Sequence, residues 1–329
     1  MSVLYVTKPG AVLTLKEKHV QVGLKGEILA SLPIKTVERV VTIGAAQVSG
    51  AAAVEFLKEK IPLLYCSGKG RYYGMLHSGG ENVEDWLKQV ECWQQHDYRL
   101  AAAKKIVQCK LANQRLILLR QGRNHRQEEL KEAGNVLRNQ EERAETAVSL
   151  EELRGIEGYG AKVYFSVFGG CLHQTELAFD GRSRRPPLDP VNSLLSFGYA
   201  LLLGEVVLAL REAGLHTGLG FLHEPSRRRE ALALDLMELF RQSIVDRFIL
   251  RIVNLKMFKE NDFFVADEEG VRLNPEAMPR FFAAWEEQLG NKDEAEAPCG
   301  MRAFIRREVK ALKREICSGE KWQPQKRIS

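Results

Sequence analysis

Through residues 1–80 the apolar side chains come in short runs broken by Gly, Lys or Pro. The runs Val3–Val6, Ala11–Leu15, His19–Val22, Arg39–Ile43, Pro62–Cys66 and Tyr72–Leu76 predict strands joined by turns. One helix interrupts them: Ala51–Glu59 carries Val54, Phe56 and Leu57 among alanines, and Pro62 lies beyond its end. Gly79–Gly80 closes this pattern, and Asn82 with Asp85 three positions on has the form of a helix cap. From there the spacing is helical almost to the end, except at Phe263–Leu273, where Asp-Glu-Glu-Gly between apolar runs predicts a small hairpin. The fold class is therefore α+β. A small, mainly β amino-terminal domain occupies residues 1–80, and a larger, mainly α-helical domain occupies residues 81–329.

Composition excludes a disordered or low-complexity chain, with 45% hydrophobic and 28% charged residues among 329. The six cysteines form no CxxC pair, which argues against a disulfide framework or a thiolate zinc site and fits a reducing cytoplasm. The amino terminus has no secretory pattern. Leu194–Leu210 is almost wholly apolar, yet it contains Glu205 and falls short of the ~20 residues a membrane span needs; it reads as a helix buried in protein.

The net charge of +5 says little, but its distribution says more. Residues 98–127 hold Arg99, Lys104, Lys105, Lys110, Arg115, Arg120, Arg123 and Arg126 and no acid. Further basic clusters stand at Arg182/Arg184/Arg185, at Arg227–Arg229 and across residues 302–327. Each could be a solvated helix face; together they suit a polyanion. No aromatic ladder accompanies them, so stacking on single strands is not indicated.

Three segments could carry chemistry. Ser149 and Glu152 have capping-box spacing, and Leu153, Ile156, Val163, Tyr164 and Val167 form one apolar stripe, with Glu157 at its margin and Gly160 three on. A carboxylate there must reach water, an arginine or a metal. Downstream, His223 lies in a Gly- and Pro-containing connection before a helix from Glu230, on which Asp235 and Glu238 share a face. Two acids and an imidazole suit Mg²⁺ or Mn²⁺, whereas zinc would want more His or Cys. His216 reads as a turn or surface residue. Between these segments, Asp189-Pro190 starts a helix with Asn192 in its first turn, either bonding locally or ordering a site. The arginines before it, Arg184 and Arg185, could grip phosphate. Neither a Gly-x-Ser-x-Gly elbow nor a phosphate loop is present.

Arg154-Gly-Ile-Glu-Gly, Arg184-Arg-Pro-Pro-Leu-Asp-Pro-Val-Asn-Ser-Leu-Leu-Ser-Phe-Gly-Tyr, Gly220-Phe-Leu-His-Glu-Pro and Leu232-Ala-Leu-Asp-Leu-Met-Glu-Leu-Phe-Arg, in that order, resemble the CRISPR-associated Cas-one family. Val41-Thr-Ile-Gly and Ile61-Pro-Leu-Leu-Tyr-Cys extend the resemblance to the amino-terminal domain. It implies a metal-dependent DNA endonuclease and integrase of CRISPR adaptation, joining terminal hydroxyls of captured DNA to phosphodiesters at the CRISPR repeat. Glu157, His223 and Glu238 would be the metal ligands, Asp235 a supporting acid touching metal or DNA, and Asn192 and the preceding arginines the lining of the site. Lys104, Lys105, Lys110, Arg227 and residues 302–327 would meet duplex phosphates. The implied partners are double-stranded DNA, a second copy through the β domain, and the small companion Cas-two, in a prokaryotic cytoplasm and without a membrane. A branched-DNA repair nuclease and a non-enzymatic DNA scaffold are the rival readings.

Overall fold

A computed structural model describes residues 2–68, 71–80, 82–125, 127–173, 176–184, 186–227, 229–266, 270–290 and 300–325. The amino-terminal strands are β1 (Ser2–Val6), β2 (Val12–Lys16), β3 (His19–Leu24), β4 (Glu27–Pro33), β5 (Val37–Ile43), β6 (Gln47–Val48), β7 (Leu63–Cys66) and β8 (Tyr72–Leu76), with α1 (Gly50–Lys58) between β6 and β7. They build two four-stranded sheets, ordered β1-β5-β7-β8 and β4-β3-β2-β6. In the first, β1, β5 and β7 run parallel and β8 is antiparallel. The hairpin turns place Glu17–Lys18 and Lys25–Gly26 at positive φ, the conformation that matches strand twist in a two-residue loop. Leu13, Val20, Val22, Val40, Phe56 and Leu63 fill the core of this part.

The helical part comprises α2 (Val83–Gln94), α3 (His96–His125), α4 (Glu128–Thr146), α5 (Leu150–Val167), α6 (Pro190–Glu212), α7 (Ala231–Met237), α8 (Arg247–Asn254), α9 (Met278–Gly290) and α10 (Met301–Ser318). A π-helical segment, Arg241–Asp246, joins α7 to α8. The hairpin at Phe263–Leu273 is present as antiparallel β9 (Phe263–Val265) and β10 (Val271–Leu273). Helices α3, α4 and α5 pack together, while α6 is the central helix, touching α7, α8, α10, β8 and β10. Helix α6 is long and apolar enough to cross a membrane, but 83% of its most apolar stretch is buried inside the protein.

Strand β8 ends at Leu76 and α2 begins at Val83, and one core runs across this step: Val41, Ile43, Leu64 and Cys66 of the sheet join the helical core. Gly204 permits this closeness, since a Cβ there would stand 3.0 Å from Leu64 Cδ2. Beside it a buried polar network ties the parts together. Arg39 Nη1 on β5 donates to Glu205 Oε2 on α6 at 2.6 Å, and Arg302 on α10 donates to Glu205 Oε1 at 3.1 and 3.2 Å and to both oxygens of Glu286 on α9.

Candidate metal and DNA site

Helix α5 starts where its cap predicts: Ser149 Oγ accepts from Glu152 N at 3.1 Å, and Glu152 Oε2 accepts from Val148 N at 2.9 Å. Leu153, Ile156 and Tyr164 then point into the core, which leaves Glu157 at the margin with its side chain 24% exposed. Gly160 sets the distance to α3. A Cβ at that position would lie 2.2 Å from Leu111 Cδ2, so any larger residue would have to push Leu111 aside or move α5 away from α3. The neighbour of Leu111 is Lys110, whose ammonium donates to Glu157 Oε1 and stands 2.6 Å from Glu238 Oε2. Two carboxylates remote in sequence thus converge on one cation.

Glu238 follows the last turn of α7 and is buried. Its Oε1 lies 3.0 Å from Arg241 Nε, the first residue of the π-helical segment. Burial alone would raise this carboxyl, but the Arg241 guanidinium and the Lys110 ammonium outweigh it and hold the group down at about 2. Burial likewise works against the Lys110 charge, and Glu238 and Glu157 more than restore it.

His223 reaches this place through its loop. Asp235 on α7 is fully buried and accepts from the backbone N–H groups of Phe221, Leu222 and His223 at 2.6, 2.9 and 3.1 Å, and its Oδ1 lies 2.5 Å from His223 Nδ1. From the other side Arg154, one turn before Glu157 on α5, donates to Leu222 O at 3.0 Å. The His223 loop is therefore pinned to the helices of both carboxylates, and His223 is among the groups acting on Glu238. With Nδ1 committed to Asp235, any metal the ring takes must bind through Nε2.

Among the described residues no three His, Cys, Asp or Glu side chains form a ready-made metal cluster. The position between Glu157 and Glu238 holds the lysine ammonium instead. Its donors nonetheless fit a hard divalent ion. Glu238 Oε2 is buried with no hydrogen bond of good geometry, both carboxylates already share one cation, and the imidazole oriented by Asp235 is near enough to act on Glu238.

Three of the expected residues, Asp235, Lys110 and Asn192, are buried. The Asp235 carboxylate accepts from three backbone N–H groups and lies against His223 Nδ1, so it is tied to the site through the imidazole. Lys110 is buried between the acids and not exposed like Arg184. Asn192 is also fully buried and bonded locally: Arg182 Nη1 and Ser183 N donate to its Oδ1, and its Nδ2 donates to Gly181 O and Asp189 Oδ2. It shapes the basic loop rather than lining an open site.

Arg184 and Arg227 are exposed, as a phosphate contact requires, and Lys104 is half-buried. Lys105 pairs with Glu315 at 2.7 Å and lies over the Trp322 ring. Arg185 lies outside the described residues. Across residues 302–325 most charges are spent internally: Arg302 on Glu205 and Glu286, Arg306 on Glu212, Lys313 on Asp85 and Arg314 on Glu320. His216 takes the turn role, its Nδ1 accepting from Gly218 N at 3.2 Å.

Sequence reading missed the arginines that assemble the site, Arg154 and Arg241, and a buried cluster behind it. Asp246 accepts from Tyr164 Oη at 3.0 Å and from Tyr199 Oη, and burial pushes its carboxyl up to about 6 against those bonds. The Tyr199 ring lies between the guanidinium groups of Arg241, 4.6 Å away, and Arg182, 5.6 Å away. The Arg241–Glu238 spacing of three was the one local signal for any of these.

Comparison with known proteins gives the family. The family model for CRISPR associated protein Cas1 matches residues 4–287. A CRISPR-associated endonuclease Cas1 of Thermus thermophilus is 38% identical over 296 residues, 89% of this chain and 86% of that protein. The solved CAS1 protein of Thermotoga maritima superposes with a TM-score of 0.82 at 25% identity, over 96% of this chain and 97% of that one. A Cas6-RT-Cas1–Cas2 complex superposes with a TM-score of 0.86 at 26% identity; this chain is fully covered and spans 36% of that longer chain. The chain belongs to the Cas1 family of CRISPR-associated proteins.

Proposed function

We propose that the chain is a metal-dependent DNA integrase and endonuclease of CRISPR adaptation, using Mg²⁺ or Mn²⁺ to join terminal hydroxyls of DNA fragments to phosphodiesters at the CRISPR repeat. The convergence of Glu157 and Glu238 on one cationic position, beside an imidazole oriented by Asp235, carries this reading. When bound there, the ion supplies Lewis-acid stabilisation of the charge that builds on a phosphate during in-line attack. Glu157, Glu238 and His223 Nε2 would hold it. Asp235 fixes the imidazole, Arg241 fixes Glu238, and the exposed Arg184 and Arg227 attract the DNA backbone.

The names of relatives support the partners. Cas2 accompanies Cas1 in a structural neighbour, and we assign this chain the same small companion, working in a prokaryotic cytoplasm. Pairing of two copies through the β domain is supported by the edge strand β4, where Ile28 and Leu29 are exposed. The test is a supercoiled target carrying a CRISPR repeat, a fluorescent donor duplex and Mn²⁺. Covalent donor transfer that Glu157→Ala abolishes, while that variant still binds donor, is the expected result. Cleavage without transfer would instead favour a repair nuclease, and a gel shift alone a scaffold.

A further inference from the structure

The candidate metal position is electrically balanced as it stands. Glu157 and Glu238 bring two negative charges, and Lys110 and Arg241 bring two positive ones. Asp235 and His223 form a separate couple. The Lys110 and Glu238 side chains are only 5% and 6% exposed, so solvent screens little of this. A divalent cation added to that set would leave two positive charges uncompensated in a nearly dry place. Either the ammonium must leave or an anion must arrive.

We propose that Lys110 is a resident counter-ion that competes with the divalent ion for Glu157 and Glu238, so that metal loading is coupled to the arrival of a DNA phosphodiester. This rests on the reading that these carboxylates and His223 hold the metal. Of the two cations Lys110 is the one suited to leave. Arg241 is fixed by Glu238 Oε1 and stacked on Tyr199. A lysine head is a compact charge on a flexible stem, and its way out lies on the side of Glu157, the more exposed of the two acids. Its stem stays anchored on α3, so the displaced ammonium remains beside the ion, where it meets a phosphate oxygen as a charged donor. The same residue thus holds two like charges together in the metal-free protein and rewards the anion that completes the loaded one.

The experiment is calorimetric titration of Mn²⁺ into the full chain, for wild type, Lys110→Met and Lys110→Gln, each with and without a short blunt-ended duplex. Thermal melting of the three metal-free proteins accompanies it. Without DNA, Lys110→Met should bind Mn²⁺ about tenfold more tightly than wild type, a typical strength for antagonistic ligands. Duplex should tighten Mn²⁺ binding to wild type and do much less for the variant, and metal-free Lys110→Met should melt lower. If Lys110→Met does not fold, Lys110→Gln carries the same comparison, since its amide bonds a carboxylate without neutralising it. Equal or weaker Mn²⁺ affinity in the variants, with wild type binding normally, overturns the competition and leaves the metal site standing. Absence of Mn²⁺ binding in wild type and variants alike overturns the metal reading and this proposal with it.

Discussion

Glu205→Gln tests the polar clamp between the sheet and the helices. The Glu205 carboxylate is held by Arg39 at 2.6 Å and by Arg302 at 3.1 Å in a buried setting. Burial by itself would raise its pKa, but the two guanidinium groups prevail and bring it down from 4.5 to about 2. A carboxyl depressed on folding contributes stability that is full above its unfolded pKa and is lost as pH falls toward the folded one. The shift corresponds to about 3 kcal/mol at pH 7, and linkage leaves about 1 kcal/mol of it at pH 3. Glutamine keeps the shape but not the charge, leaving Arg39 with Glu38 and Arg302 with Glu286 as their remaining acids, and removes the stabilisation of about 3 kcal/mol at neutral pH. Urea unfolding of wild type and Glu205→Gln between pH 7 and pH 3 measures both effects. The variant should start lower, and the gap should narrow by about 2 kcal/mol on acidification. A gap that stays constant from pH 7 to pH 3 would refute the assignment of this acid-labile stability to Glu205.

Three further outcomes are expected. Asp235→Asn should weaken Mn²⁺ binding about 10- to 100-fold in calorimetry, because His223 loses the carboxylate that orients it; undiminished affinity would show that Asp235 serves only the loop. Gly160→Ala forces a Cβ onto Leu111 Cδ2 and should cost about 1–3 kcal/mol in urea unfolding, with Leu111→Ala as second substitution recovering part of that loss. Arg184→Ala and Arg227→Ala should each reduce the salt dependence of duplex binding by about one counterion, whereas Arg306→Ala, paired with Glu212 at 2.8 Å, should not change it.

Local signals in the chain read well where local physics decides. The caps at Asn82, Ser149 and Asp189 each accept a hydrogen bond at the start of a helix, and the apolar run after Pro190 is the buried helix its interruption by Glu205 suggested. Charge reads less directly, because a count along the chain cannot see tertiary partners. Residues 98–127 contain no acid, yet Arg99, Lys105, Lys110 and Arg115 pair with Glu224, Glu315, Glu157 and Glu141, all brought from elsewhere. Within residues 302–325, likewise, Arg302, Arg306 and Lys313 tie α10 to α6, α9 and α2, which a charge count could not show.

The candidate site shows why its assembly was only half legible. Periodicity put Asp235 and Glu238 on one face of a continuous helix from Glu230, which would point both acids the same way. The chain instead leaves α-helical geometry after Met237 and runs as a π-helical segment over Arg241–Asp246. A wider turn of this kind changes the phase of every side chain beyond it, and such segments recur at functional sites. Asp235, still within α7, turns back to seat the His223 loop, while Glu238 meets Lys110 and Arg241. The altered phase beyond Arg241 brings Asp246 round to Tyr164 and Tyr199, so that Tyr199 lies against Arg241 from behind. Between the two acids themselves the chain tightens, Glu238 N donating to Asp235 O and Leu239 N to Leu236 O, each at 3.1 Å, and the neighbours have separate tasks, one holding the imidazole and one facing the cation. No pattern of apolar positions could have signalled this division, because the residues that drive it meet only in the folded chain.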